Sequence, residues 1–323
     1  MQPTGSALDV AVTDAASRDE ARPERGRFLR AVIRNRKAMT GVLILLVVSF
    51  AAAFPGLIAP DDPHAIIYPP NEGPSSAHLL GTTQLGQDVF SQLVWSTRLT
   101  LLVTLIVTAI ATFISLVIGV TAAYAGGVTD RALTVLIDVF LILPVLPLLI
   151  LLAAYLSPGV TSLVIVLVIT SWAFQARQLR AQGLSVRNRD FLVAARARGE
   201  RASYVIMVEI VPTMTSLLAA SFLALAVFEV GFAATLQFLG LGNSSELMWG
   251  TMLYNAQQAA ALESGNAWWA LAPGVAVAFL GAGFALVNYA FDEIGNPALR
   301  PARRRRPARR RRALRRWRDR ASA

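Results

Sequence analysis

Apolar positions fall in runs of about 20 residues, the length a helix needs to cross the hydrocarbon core of a bilayer, and polar stretches separate them. Six spans can be drawn, at about Met39 to Ile58, Leu99 to Tyr124, Ala132 to Ala154, Val160 to Phe174, Thr213 to Ala234 and Trp268 to Ala290. The fourth is short and is expected to continue through Arg177 toward the interface. The pattern predicts an all-α, polytopic integral membrane bundle of six transmembrane helices. It divides the chain into an N-terminal segment over 1–37, a transmembrane domain over 38–299 and a basic tail over 300–323. The loops between spans run to about 30 to 40 residues, too few for an independent catalytic domain.

Charge orients this bundle. Of 29 arginines and one lysine, eight precede the first span, seven lie between spans four and five, and thirteen lie in the tail. Arg131 adds one more on the same side, and Arg98 alone falls on the other. The outer loops carry acids instead: Asp61, Asp62, Glu72 and Asp88, then Glu246 and Glu263. By the positive-inside rule, both termini are cytoplasmic. The net charge of +10 comes from the tail, where thirteen arginines face the single Asp319. That tail suits anionic lipid and topology setting, with nucleic acid not expected. Met1 to Glu24, Pro60 to Ser76 and the tail are expected to be flexible. With no cysteine and only His64 and His78, no metal site is expected.

The stretch DFLVAARARGERASYVIMVEIVP, Asp190 to Pro212, is charged and alanine-rich among long apolar runs. Asp190 can cap a short helix whose Phe191, Ala194, Ala195 and Arg198 share one face. Gly199 offers a corner, and Tyr204, Met207, Val208 and Val211 form an apolar stripe on a second helix that ends at Pro212. Small residues at Ala194, Ala195 and Ala197 permit close approach by another protein. An amphipathic connector lying on lipid headgroups accounts for the same spacing.

These residues resemble the cytoplasmic EAA loop of ATP-binding-cassette (ABC) importer permeases, here spanning 185–212: Val193-Ala194-Ala195, then Gly199, then Pro212. More of the chain is similar to the C-type membrane subunit of dipeptide, oligopeptide and nickel importers, from about Arg34 to Arg300. GTTQLGQDVFSQLVWSTRLTL (Gly81 to Leu101), AYAGGVTDRALTVLIDVFLILP (Ala123 to Pro144), LQFLGLG, WGTML and AWWALAPG appear in the expected order. In the outer motif, Gly81, Thr82, Gly86, Asp88, Ser91 and Arg98 stand in this pattern. Val193 replaces the glutamate of the EAA pattern, and Thr83, Gln87 and Gln92 occupy Asp, Arg and Arg positions. The closing motif is also shifted, to Asn296-Pro297-Ala298-Leu299-Arg300.

The resemblance implies a type I ABC importer permease fold in the bacterial plasma (inner) membrane. It implies as partners a homologous second permease, two ATPase subunits, an extracytoplasmic solute-binding protein and surrounding lipid. ATP and Mg would sit on the ATPases; no GxxxxGK[ST] phosphate loop occurs in this chain, which is not expected to be an enzyme. A non-transporting membrane scaffold or regulator derived from a permease is the alternative.

Polar residues inside the spans complete the candidates. Asp138 and Glu229 either face the translocation path or the partner permease, or are hydrogen-bonded structural residues. Pro144 and Pro147 are expected to kink the third span, while Gly231, Gly240 and Gly242 loosen the outer end of the fifth. Trp268 and Trp269 are expected to anchor at the outer interface.

Overall fold

The computed structural model describes residues 35–59 and 61–295. The N-terminal segment before residue 35, the shifted closing motif and the arginine tail lie outside the described residues. Helix α1 (Arg36–Ala53) is capped by Asn35, whose side chain accepts from the Lys37 N–H at 3.0 Å. Pro55, which has no N–H to donate, breaks it and opens the four-residue α2 (Pro55–Ile58). The expected single span Met39 to Ile58 is therefore two helices.

After the outer loop, α3 (Val89–Ala125) runs for 37 residues, about 55 Å, so it projects well beyond a hydrocarbon core of about 30 Å. The expected third span is broken: α4 (Gly127–Ile142) and α5 (Val145–Tyr155) meet at 90° across Leu143 and Pro144. Together they make one broken span or a re-entrant pair, beside five helices long and apolar enough to cross a membrane. Pro144 is the N-cap of α5 and makes the corner, whereas Pro147 sits in the first turn of α5, where its missing N–H costs little. Helix α6 (Val160–Val186) extends through Arg177, as its flanking pattern predicts.

The bracket over Asp190 to Pro212 follows as α7 (Asp190–Ala197) and the single turn α8 (Ala202–Tyr204), then a π turn (Val205–Ile210) and a 3₁₀ turn (Val211–Met214). Pro212 cannot continue an α-helical ladder, and the widened and then tightened turns around it absorb the lost donor. Helix α9 (Thr215–Phe238) passes through Gly231 without a break and gives way at Gly240, which holds φ 77°. The short α10 (Trp249–Gln258) and the long α11 (Ala267–Gly295) complete the bundle.

The core of Asn35–Phe291 has separate layers. Near the start of α3, Val89, Val230, Trp249, Met252, Trp269 and Leu280 pack together. Trp269 is 4% exposed, so it is a core residue and not an interfacial anchor; Trp268, half exposed, is free to take that role. At the opposite end, Val120, Val186, Leu192, Ala195, Val205, Ile210 and Met214 clamp the bracket onto the ends of α3 and α6. Helices α3 and α6 form the central pair. A Cβ placed on Gly119 of α3 would stand 2.5 Å from the Ala176 carbonyl oxygen of α6, and one on Gly183 would stand 2.6 Å from the Ala123 Cβ. Glycine is what lets these backbones touch, the usual device where lipid supplies no hydrophobic drive between helices.

Candidate functional site

The bracket is built on a helix that Asp190 does not cap. Arg189 holds the N-cap position, and Asp190 is the first helical residue. Its carboxylate still favours that end through the helix dipole. At the other end, the Gly199 N–H donates to Arg196 O at 3.0 Å and the Glu200 N–H to Ala195 O at 3.3 Å. This paired closure requires a left-handed residue at its corner, and Gly199 supplies it at φ 74°. Arg198 reaches Glu200 at 3.5 Å and Glu209 at 3.9 Å, tying the corner to the following turn. Arg196 lies over the Tyr124 ring at 4.9 Å.

Burial revises which faces are available. Ala195 is fully buried with Leu192 against the ends of α3 and α6, so it cannot meet a partner. Val193, Ala194 and Ala197 point outward. The stripe of the following turns is also reversed: Tyr204, Met207 and Val208 are about half exposed, while Val205, Ile210 and Met214 pack inward. The spacing locates a stripe; only the positions of α3 and α6 decide which side of the bracket faces them.

Within the bundle, polar side chains line α6 and its neighbours. Asp138 on α4 pairs with Arg177 on α6, and Asp130 receives a bidentate pair from Arg180 at 2.6 and 3.0 Å. The Asp138 pair is about half exposed at both ends, the Asp130 pair much less. The Gln175 amide donates to Ser221 Oγ on α9 at 2.8 Å, and its carbonyl accepts from Thr112 on α3 at 3.2 Å. A cavity of about 290 Å³ opens between α5, α6 and α9. Glu229, fully buried, borders it, and neither of its carboxylate oxygens has a hydrogen-bond partner. The neighbouring Ser171 hydroxyl lies beside the carboxylate and donates to Leu167 O at 2.6 Å. Pro144 itself stands at the α4–α5 corner, one residue before Val145 in the cavity wall. Sequence reasoning missed Ser171, Gln175 and Gln178, although polar positions at i, i+4 and i+7 within an apolar helix mark one face.

The outer motif is a structural cap on α3. Asp88 is its N-cap, accepting from the Ser91 N–H at 2.7 Å. Thr82 is buried; its hydroxyl accepts from the Glu72 N–H at 2.9 Å and donates to Pro69 O at 2.7 Å, and its carbonyl accepts from Asn266. Gly81 and Gly86 turn the loop at positive φ. Arg98, farther along α3, is exposed. The stretch 61–76 is thus tied to the motif by hydrogen bonds, not the loose segment its composition suggests. Tyr68 adds an outer tie by donating to Asp61 at 3.0 Å, and that bond, with burial second, raises the phenol above its ordinary pKa. Among the described residues, no group of three or more His, Asp or Glu side chains is placed to hold a metal ion.

Residues 115–300 match the family model described as "Binding-protein-dependent transport system inner membrane component". The di/tripeptide transport system permease protein DppC of Pseudomonas aeruginosa (strain UCBPP-PA14) is 31% identical over 260 residues, 77% of this chain and 84% of that protein. The dipeptide permease DppC of Bacillus subtilis (strain 168) is 31% identical over 288 residues, 85% of each chain. The nickel transport system permease protein NikC of Escherichia coli (strain K12) is 32% identical over 246 residues, 74% of this chain and 86% of that one. In fold, the chain is similar to one from the MetNI methionine ABC transporter in inward-facing conformations. That match has TM-score 0.51 at 19% identity and covers 63% of this chain and 94% of the other.

Proposed function

The chain belongs to the family of binding-protein-dependent transport system inner membrane components, and from that premise we propose that it carries a peptide-like solute as half of a two-permease pathway. It is a multi-pass inner-membrane permease subunit of an ABC importer, and its relatives are transport subunits, not enzymes. Hydrolysis of ATP with Mg then falls to two separate ATPase subunits, a homologous permease supplies the other half, and an outer binding protein delivers the solute. Both termini and Gly199 lie on the cytoplasmic side in this reading, with Asp88 and Glu263 outside, because the basic residues divide that way.

The observation that carries the coupling role is the outward face of the bracket. Val193, Ala194 and Ala197 form a low, small-residue surface beside exposed Tyr204, Met207 and Val208, on a platform clamped to α3 and α6. A push on this surface is transmitted to the two central helices, since packed interiors shift as units. The two permeases then rock between inward- and outward-open arrangements around the central path.

The chain lacks cysteine, so single cysteines test the assignment directly. In the assembled importer reconstituted in proteoliposomes, an Ala194→Cys variant is expected to cross-link to an ATPase subunit carrying a cysteine in its surface groove. Ala194→Trp is expected to uncouple ATP hydrolysis from peptide uptake. Unchanged uptake and ATPase rates in Ala194→Trp, with no cross-link from Ala194→Cys, would return the bracket to a surface connector.

A further inference from the structure

Glu229 is an acid the fold does not satisfy. It lies in the second half of α9, fully buried, with both oxygens unpartnered, whereas Asp138 and Asp130 on α4 each have an arginine partner. A carboxylate facing lipid is costly, and intramembrane acids turn toward protein interior or aqueous cavities. Here the cavity is present: Val145, Ser171, Gln178 and Phe232 help form its wall, with Phe174 and Phe228 more than 60% exposed beside it.

The hydroxyls of that wall all have backbone acceptors. The Thr170 hydroxyl donates to Val166 O and Leu167 O, Ser171 to Leu167 O, and Ser221 to Leu218 O. Each hydroxyl thus has a helix carbonyl to take its proton, which leaves its lone pairs to offer, and Ser171 lies beside the Glu229 carboxylate as well. A wall of hydroxyl lone pairs and glutamine carboxamides with one acid behind it, flanked by aromatic rings, suits a positively charged guest that has hydrogen bonds to donate. A volume of about 290 Å³ is at the lower end for small-molecule pockets, room for one end of a peptide and not for a whole one. We propose that the cavity between α5, α6 and α9 is a subsite for a protonated amine of the solute, the amino terminus or a lysine side chain, with Glu229 as its counter-charge. The subsite rests on the permease reading above and deepens it.

Ala224 borders the same cavity, and a cysteine there gives a reporter that does not depend on transport. In the assembled importer, Ala224→Cys is labelled with a cationic reagent, 2-(trimethylammonio)ethyl methanethiosulfonate, and with neutral methyl methanethiosulfonate, and the ratio of the two rates is taken. The ratio cancels any effect of Glu229 on the thiol itself. With Glu229 present the cationic reagent is expected to be favoured about tenfold more than in the Glu229→Gln background, the effect of one opposite charge at a partly dry site. Where Glu229→Gln fails to assemble, protection decides: propylammonium is expected to slow labelling of Ala224→Cys and propanol is not. No charge preference anywhere from about pH 6 to about pH 9, or equal protection by the two compounds, overturns the subsite. A complex that imports peptide while showing no preference sinks the subsite alone. Intact preference without ATP-driven uptake sinks the permease reading alone.

Discussion

Adding a single methyl group at the crossing of α3 and α6 tests the central packing. Gly119→Ala places a Cβ 2.5 Å from the Ala176 carbonyl oxygen, whereas ordinary contact begins near 3.4 Å, so the helices must part by about 0.9 Å. Backbone cannot rotate away as a side chain can. A gap of that size forfeits about a quarter to a half of the dispersion well for each atom pair along the seam. It also stretches the cross-helix bond from Ser115 Oγ to Trp172 O, now 2.7 Å. Overpacking of this kind costs about 1 to 3 kcal/mol, and for a chain of this size each kcal/mol moves the unfolding midpoint by about 2 to 4 °C. Gly183→Ala, 2.6 Å from the Ala123 Cβ, is expected to behave alike. The double variant is expected to cost less than the sum, because one separation relieves both contacts. Gly231→Ala is the internal control, since nothing lies within 4 Å of the added methyl and alanine gains about 0.5 to 1 kcal/mol over glycine within a helix. The assay is the thermal midpoint of the purified protein in detergent. If Gly119→Ala and Gly183→Ala melt with the unsubstituted protein while Gly231→Ala shifts, the close crossing of α3 and α6 is wrong.

Three further outcomes test other parts of the fold. Gly199→Val is expected to lower the midpoint and weaken coupling while Gly199→Asn is tolerated, because the site is open in space and demands only positive φ; equal behaviour of the two in side-by-side ATPase and uptake assays contradicts this. Ala195→Trp is expected to reduce folded yield, whereas Ala194→Trp keeps the yield and loses coupling, and size-exclusion profiles beside ATPase rates separate the two. Arg180→Ala is expected to lower the midpoint more than Arg177→Ala, since the Asp130 pair is bidentate and better buried than the Asp138 pair; the reverse order would remove the pair's structural role.

The spans were legible because lipid imposes one rule, about 20 apolar residues closed on their own hydrogen bonds, and α1, α3, α6, α9 and α11 obey it. Pro144 announced a bend but not 90°, because the angle depends on how α5 packs against α6, and no local pattern encodes that. The inward turn of Ala195 was hidden for a related reason. Spacing groups Ala194 and Ala195 on one face, and only the ends of α3 and α6, distant in sequence, select the one that is buried. Arg177 and Asp138 lie 39 residues apart. Their pairing needs α4 and α6 side by side, which the corner at Gly126 and the α4–α5 break bring about.

The departures from the family pattern in the outer motif read differently once they are placed together. Thr83, Gln87 and Gln92 stand where charged residues are expected, and taken singly each looks like damage. In the fold they are one neutral network. The Thr83 hydroxyl accepts from the N–H groups of Leu85 and Gln87 at 3.2 Å each, Gln92 donates to the Gln87 side chain at 2.8 Å and to Pro63 O at 3.2 Å, and Gln87 donates to His64 O at 3.2 Å. Gln92 is buried, so a lone charge there would need its partner at the same time. Exchanging one member for a charged residue exposes the others to an unpaired charge, whereas exchanging all three keeps every bond counted. The three differences therefore amount to one substitution of a polar cluster for an ionic one. The loop they hold still reaches Thr82, whose carbonyl accepts from Asn266, 184 residues further along the chain, so the cap on the N-terminal end of α3 is kept by different chemistry.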